Sequence, residues 1–320
     1  SLTSEIGVYF GLTLRPGDRK QYLMGQTVLN GRKMDSKDYP PHAFCSSIEG
    51  EYTNDPVTVP CDDDEFLHQF CKNFSIDRTR KTGLSIVIPF PNPDFKTDTM
   101  ISFAIINYYY AIASGRLILQ VEDTVINKSN VRELAKKYAS SKLKDIDNLF
   151  DFVEGTLQVA KVKGYINMPA KWLDDSKLTA DDFVKKTLEE IQSKFVAGEL
   201  ISLWLPVTIN PKVGPSLETG FAVFLKKPDG LLSGQDLYVR GGLLLSGESK
   251  FGYRSALGAM VVDEEHISQL LGYAENSSHT RWNIKTQKLT ENYKNSDKIV
   301  RAIKKSVVDL FDLIAGTEEQ

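Results

Sequence analysis

Residues 80–95 read RKTGLSIVIPFPNPDF, and this stretch organises the first part of the fold. A Thr-Gly pair leads into an apolar, β-branched run, which predicts a strand over residues 83–89. We expect this strand to bury Ile86 and Ile88 on one face. Prolines at positions 89, 91 and 93 end it, because proline has no backbone N–H to donate to a ladder.

The segments on either side of this strand predict its neighbours. Residues 6–14 and 21–29 are apolar and partly alternating around the turn sequence RPGD, so they predict a hairpin. Residues 33–60 lack periodicity and predict a long irregular loop, and residues 62–73 predict a short helix with an acidic start. After the prolines, residues 98–114 predict a helix that ends at a glycine.

The rest of the chain alternates between strand and helix patterns. Strands are predicted at residues 117–121, 157–167, 200–209, 218–226, 236–245 and 256–262, and helices at 129–138, 142–153, 179–196, 264–274 and 297–314. This mixture predicts an α+β protein, with the helices of the rear part on one face of one sheet. We place a domain boundary between residues 126 and 127.

The composition narrows the class of protein. The chain has 320 residues, of which 41% are hydrophobic and 25% are charged, and this is ordinary for a water-soluble globular protein. No apolar run reaches the length of a membrane span, and the three cysteines indicate reduced thiols, so we expect a cytoplasmic protein with no membrane partner. The net charge of −3 gives nucleic acid no support as a partner. Because the chain lacks an initiator Met and enters a strand almost at once, we expect it to be part of a longer protein.

Three common kinds of site are not predicted. Cys61, His68 and Cys71 lack the close ligand pairs of a zinc site, so we expect no metal. Gly247 and Gly252 have the spacing of a phosphate-binding P-loop, but Tyr-Arg follows them where Lys and Ser or Thr are required. The Gly-x-Ser-x-Gly motif of serine hydrolases is also absent from the sequence.

The best local cluster of polar residues is AENSSHTRWN at 274–283, directly after a predicted helix. Glu275 and His279 are weak candidates for acid–base catalysis. In the plainer interpretation, Trp282 closes the core at the end of the helix. In the functional interpretation, the segment is an interface or an anion-binding corner.

A second cluster lies in the strand YVRGGLLL, where Arg240 precedes Gly241 and Gly242. A glycine pair inside a strand indicates a bulge or a close approach of another backbone. We therefore assign these three residues, together with Trp282, a structural or interface role. The alternative is an enzyme whose site assembles Arg240 with the acid–base candidates of the first cluster.

The order of elements from residue 83 onward is a glycine-led strand, a proline-rich segment, a helix and a Ser-Gly turn into a further strand. This order resembles the end of the ATP-binding domain in the GHKL superfamily, which includes gyrase B, MutL and histidine kinases. The matching residues are 83–84, 89–95 and 114–117, which read GL, PFPNPDF and SGRL. Over nearly all 320 residues, the chain is similar to a group of uncharacterised bacterial GHKL-type ATP-binding proteins. The motifs of that similarity lie at residues 25–29, 83–90, 240–242 and 275–283, which read GQTVL, GLSIVIPF, RGG and ENSSHTRWN.

The resemblance implies a truncated Bergerat-type sheet in residues 1–126 and a transducer-like domain in residues 127–320. It implies ATP and Mg²⁺ in the parent protein, contacted by Gly83, Ser85 and Lys212, with no cofactor bound by this chain alone. The chain departs from the family pattern at Leu84, because relatives have at this position a Thr that contacts the nucleotide phosphate. The Mg²⁺-binding Asn helix, the Asp-x-Gly-x-Gly motif and the glycine-rich lid are absent from the sequence.

These observations predict a non-catalytic part of an ATP-driven conformational switch, which relays the nucleotide state to a protein partner or to a second copy. Two alternatives stay open at this point, namely a stand-alone enzyme with a site around Arg240, Glu275 and His279, and a protein-interaction module. A pocket that gathers those three side chains would favour the enzyme. A sheet near residues 6–14 that is open and lacks partner strands would favour the switch.

Overall fold

A computed structural model describes residues 4–28, 31–50, 57–78, 80–173 and 177–315. The chain divides into two compact units, residues 1–96 and 97–320. Both units combine helices with sheets, so the predicted α+β class is confirmed. None of the helices in the described ranges combines the length and the apolar composition that crossing a bilayer requires.

The first unit contains eight short strands and one helix among the described residues. They are β1 (Val8–Leu14), β2 (Gln21–Val28), β3 (Arg32–Met34), β4 (Lys37–Tyr39), β5 (His42–Cys45), β6 (Ser47–Glu49), β7 (Val57–Val59), α1 (Asp64–Asn73) and an eighth strand, β8 (Gly83–Val87).

A four-stranded antiparallel sheet forms the centre of the first unit, in the order β5-β2-β1-β8. Leu12 of β1 lies opposite Leu23 of β2 and Ser85 of β8. Both leucines are fully buried against Leu67 and Phe70 of α1. The predicted hairpin, and a strand at residues 83–87 beside it in the same sheet, are therefore confirmed.

Two predictions for this unit are wrong. Ile86 is 62% exposed and Ile88 is 37% exposed, because the register with β1 turns Ser85 and Val87 toward α1 instead. The segment 33–60 also contains strands: β3 pairs with β4, β6 pairs with β7, and β5 joins the central sheet. Residues 51–56 of that segment lie outside the described residues.

The second unit contains seven helices and nine strands among the described residues, besides two 3-10 turns. The helices are α2 (Thr97–Ala113), α3 (Val131–Tyr138), α4 (Ile146–Val162), α5 (Lys185–Val196), α6 (Glu265–Ala274), α7 (Gln287–Asn292) and α8 (Ser296–Ile314). The strands are β9 (Leu119–Val121), β10 (Thr124–Ile126), β11 (Ile166–Asn167), β12 (Ile201–Pro211), β13 (Leu217–Lys226), β14 (Gln235–Arg240), β15 (Leu243–Leu244), β16 (Leu257–Val262) and β17 (Tyr293–Lys294).

A seven-stranded mixed sheet forms the centre of the second unit. Its strand order is β11-β12-β13-β16-β14-β15, and β17 pairs with β12. Along β13, Phe221 and Val223 pack into one core with α5, α6 and α8, whereas Phe224 packs into another core with α2, α3 and α4. Helices therefore cover both faces of the sheet, and the predicted one-sided arrangement is wrong. Strands buried on both faces have near-continuous apolar sequences, as β13 does.

The division into units differs from the predicted boundary between residues 126 and 127. Helix α2 and the β9–β10 hairpin fall in the second unit. Ile105 and Ile112 of α2 are fully buried in the same core as Phe224 and Val239 of the large sheet. Burial of this helix against the second sheet explains why the boundary lies ahead of it.

Two segments have a different secondary structure from the predicted one. The predicted strand at 157–167 is the end of α4 followed by the two-residue strand β11. The predicted strand at 236–245 is a hairpin, β14 and β15, with a turn at Gly241 and Gly242. These glycines have φ values of +56° and +87°, a backbone region that favours glycine.

Asp309 of α8 is expected to make stability depend on pH. Its side chain is 7% exposed, and its Oδ2 atom has no hydrogen-bond partner in the described part of the chain. Burial raises the pKa of Asp309 to about 6, against the opposing charges of Lys177 and Lys305. Because the folded state holds this proton more tightly than the unfolded state, the contribution of Asp309 to stability falls as the pH rises from about 4 to about 6.

We therefore expect Asp309→Asn to raise the free energy of unfolding at pH 7.5 by about 1–2 kcal/mol and to have little effect at pH 4. Urea unfolding of the two proteins at both pH values measures this difference. Asp297→Asn, an exposed change on the same helix, is the matched control and should leave stability within about 0.5 kcal/mol. A gain for Asp309→Asn that is equal at pH 4 and pH 7.5 would contradict the assignment.

Candidate functional site

The structure brings Arg240, Glu275 and His279 into one ion-pair network. Arg240 is the last residue of β14, and Glu275 directly follows α6. The arginine donates from Nε to Oε1 of Glu275 and from Nη2 to Oε2, the latter at 2.7 Å. Nδ1 of His279 lies 2.7 Å from the same Oε2. The predicted grouping of the three residues is thus present in space.

The carboxylate of Glu275 is the buried centre of this network. Its side chain is 2% exposed, whereas that of His279 is 64% exposed. Burial raises the pKa of Glu275, but hydrogen bonds and charge from Arg240 and His279 outweigh it and hold the pKa below its ordinary value. Glu275 is therefore ionised at neutral pH and has both oxygens occupied by its partners.

The surroundings of the network favour a structural role. Glu275 pairs through its backbone with Trp282, and Asn276 accepts a hydrogen bond from the backbone N of Thr280, so the loop after α6 closes on itself. A cavity of about 680 Å³ beside Arg240 is lined by neither Glu275 nor His279. Among the described residues, His279 has no hydroxyl or thiol within hydrogen-bond distance. The ion pair between Arg240 and Glu275 links the end of β14 to the end of α6.

Trp282 closes the core next to this loop, as the plainer interpretation predicted. It is buried, and its ring packs edge-on against Tyr238 with the centroids 6.2 Å apart. Its backbone N donates to Oε1 of Glu248 at 2.7 Å, and its carbonyl accepts from Nζ of Lys304 at 3.0 Å. Glu248 and Lys304 form a salt bridge of 2.9 Å. This pair was not predictable from the sequence, because no motif connects residues so distant along the chain.

Gly241 and Gly242 form the turn of the β14–β15 hairpin. A Cβ atom at Gly242 would lie 3.4 Å from the Arg116 side chain, which itself donates to Asp263 at 2.6 Å. This close approach agrees with the structural role expected for the glycine pair.

The predicted nucleotide contacts Gly83 and Ser85 lie in the first unit, at the start of β8. The Arg78 side chain braces this segment: Nε and Nη2 donate to Oγ of Ser85 at 3.1 and 2.9 Å, and Nη1 donates to the carbonyls of Lys81 and Thr82. Gly83 has a φ of +134°, which favours glycine. Sequence reasoning missed Arg78, which precedes the quoted stretch by two residues.

Lys212 lies in the second unit, directly after β12. Its side chain is exposed, and its backbone N donates to the carbonyl of Asn292 at 2.8 Å. The loop is thereby attached to the end of α7. Contact of Lys212, Gly83 or Ser85 with a nucleotide stays a prediction.

Comparisons with known proteins leave the family open. No family model matches the chain, and the searches of curated proteins and of solved structures gave no match. The resemblance to the GHKL superfamily stays a prediction, as do ATP and Mg²⁺ in the parent protein. In the ranges that the structure describes, no three His, Cys, Asp or Glu side chains are grouped as metal ligands.

Proposed function

We propose that the chain is the non-catalytic part of an ATP-driven conformational switch. The first unit provides a sheet that is completed by the nucleotide-binding part of the switch, and the second unit transmits the change to a protein partner or a second copy. The observation that carries this proposal is the uncovered apolar face of the sheet β5-β2-β1-β8.

That face lies opposite α1. Strand alternation and register place Tyr9, Met24, Phe44, Leu84 and Ile86 on it. Phe44, Leu84 and Ile86 are each about half exposed or more. Exposed apolar side chains on one sheet face are typical of an interaction surface, because monomeric soluble proteins seldom leave a large apolar patch uncovered.

The edge of the same sheet supports the proposal. Strand β8 pairs with β1 on one side, and the described residues contain no strand ladder on its other side. An edge strand presents unpaired N–H and C=O groups that another strand can join. The proposed occupant of this edge and face is therefore the nucleotide-binding part of the parent domain, whose motifs the 320 residues lack.

The loop that carries Lys212 is the proposed sensor in the second unit. Lys212 and its neighbour Val213 are exposed, and Val213 has 92% of its surface accessible. An exposed lysine on a loop with an anchored backbone suits contact with a phosphate, since an ammonium group binds phosphate as a point charge. The enzyme alternative receives less support, because the cavity beside Arg240 is lined by neither Glu275 nor His279.

Charge substitution on the open face tests the proposal. In a protein that includes the nucleotide-binding part, Ile86→Lys should lower the free energy of unfolding by about 2 kcal/mol or more, because a lysine would be buried at the contact. In the 320-residue chain, the same change should alter stability by less than about 0.5 kcal/mol, because Ile86 is exposed there.

Val57→Lys is the matched control. Val57 is also an exposed apolar residue of the first unit, but it lies in the separate β6–β7 hairpin. It should leave both proteins unchanged in urea unfolding. Equal effects of Ile86→Lys in the short and the long protein, or no effect in the long one, would refute the docking of the nucleotide-binding part on this face.

A further inference from the structure

A pocket of about 430 Å³ in the second unit is lined by five cationic side chains and no carboxylate. Three of the cations lie on one face of α8, at positions 301, 304 and 305, and two come from loops. We call this site the basic pocket, and its cations are Lys250, Arg281, Arg301, Lys304 and Lys305.

Three of the five cations have no carboxylate within ion-pair distance among the described residues, and a fourth is only weakly paired. Lys304 pairs with the buried Glu248 at 2.9 Å. Arg301 lies 3.9 Å from Asp297, with both side chains more than half exposed, so this contact contributes little. For Lys250, Arg281 and Lys305, the described residues include no carboxylate within ion-pair distance. The pocket therefore concentrates positive charge that a bound anion would neutralise.

Arg281 is held at the pocket by its fit against Gly247. A Cβ atom at position 247 would lie 2.5 Å from Cγ and Nε of Arg281, so only glycine lets the arginine side chain cross this backbone without displacement. The guanidinium group of Arg281 makes no hydrogen bond or ion pair with the described residues. Its planar set of N–H donors matches the oxygen atoms of a phosphate group.

The remaining lining residues are neutral, namely Asn276, Trp282, Asn283 and Ile284. Oδ1 of Asn276 accepts from the backbone N atoms of Thr280 and Arg281, so this amide holds the loop that carries Arg281. None of the residues that line the pocket would therefore repel a bound anion.

We propose that the basic pocket binds a small molecule that carries at least two phosphate groups. A phosphate group has a charge of about −1.5 to −2, so two of them balance the three unpaired cations and the weakly paired Arg301. The volume of the pocket lies within the range of about 300–1,000 Å³ that is usual for small-molecule sites. This proposal is independent of the proposed switch function, because it concerns only side chains of the second unit.

Calorimetric titration of the 320-residue chain with inorganic pyrophosphate, in the absence of divalent cations, tests the site. We expect saturable binding with one molecule per chain, weaker binding of inorganic sulfate, and a loss of about tenfold or more in pyrophosphate affinity for Arg281→Ala. Lys305→Gln should also weaken binding, which gives a second variant on a different segment. Lys194→Ala, an exposed lysine of α5 outside the pocket, is the matched control and should retain wild-type affinity.

Thermal unfolding of each variant shows that it remains folded. Absence of pyrophosphate binding by the wild-type chain would overturn the proposal. It would also be overturned if the folded variants Arg281→Ala and Lys305→Gln bound as tightly as Lys194→Ala, because the anion would then bind elsewhere.

Discussion

Replacement of Glu275 by alanine is expected to lower the free energy of unfolding of the second unit by about 3 kcal/mol or more. The change removes both carboxylate oxygens that accept from the Arg240 guanidinium and leaves a largely buried positive charge without a carboxylate partner. It also removes the side-chain contact of Glu275 with His279, which lies in the loop after α6. Urea unfolding followed by tryptophan fluorescence measures the effect, because Trp172, Trp204 and Trp282 all lie in the second unit.

His279→Ala is the control within the same network. The imidazole is 64% exposed, so its loss should cost no more than about 0.5–1 kcal/mol. Because Arg240 and His279 lower the pKa of Glu275, the stability that this group contributes is present above its unfolded pKa and is lost as the pH falls through its folded pKa. The difference between wild type and Glu275→Ala should accordingly shrink in acid. Equal costs for Glu275→Ala and His279→Ala at neutral pH would contradict the structural role assigned to the carboxylate.

The sequence predicted those parts of the fold that depend on local pattern. Alternation in residues 6–14 and 21–29, and the proline stop after residue 88, were sufficient to predict three of the four strands in the central sheet of the first unit, but not β5. The side on which Ile86 lies was not predictable, because Ser85 and Val87 alternate with it and the position of α1 decides which face is buried. The two-sided second sheet was missed for a similar reason, since a continuous apolar strand does not show which elements cover it.

The candidate site shows the same limit. Glu275 and His279 are four residues apart, and the Arg-Gly-Gly sequence singled out Arg240, so the network was partly visible in the sequence. Glu248 and Lys304 were missed, although together they hold the backbone of Trp282. The basic pocket depends on two loops and a helix that only the tertiary fold brings together. In the sequence, Lys304 and Lys305 are a lysine pair on a predicted helix, and such a pair usually indicates a solvated helix face.

The central claim is that these 320 residues form part of an ATP-driven switch and do not themselves contain its nucleotide pocket. Calorimetric titration with Mg·ATP tests this claim most directly. It is carried out on the wild-type chain and on Arg281→Ala, so that any phosphate binding in the basic pocket is recognised and set aside. A longer protein that includes an Asn helix and an Asp-x-Gly-x-Gly motif upstream is titrated in parallel.

The account predicts no heat of Mg·ATP binding for Arg281→Ala in the 320-residue chain and micromolar binding for the longer protein. Micromolar binding of Mg·ATP that persists in Arg281→Ala of the 320-residue chain would contradict it.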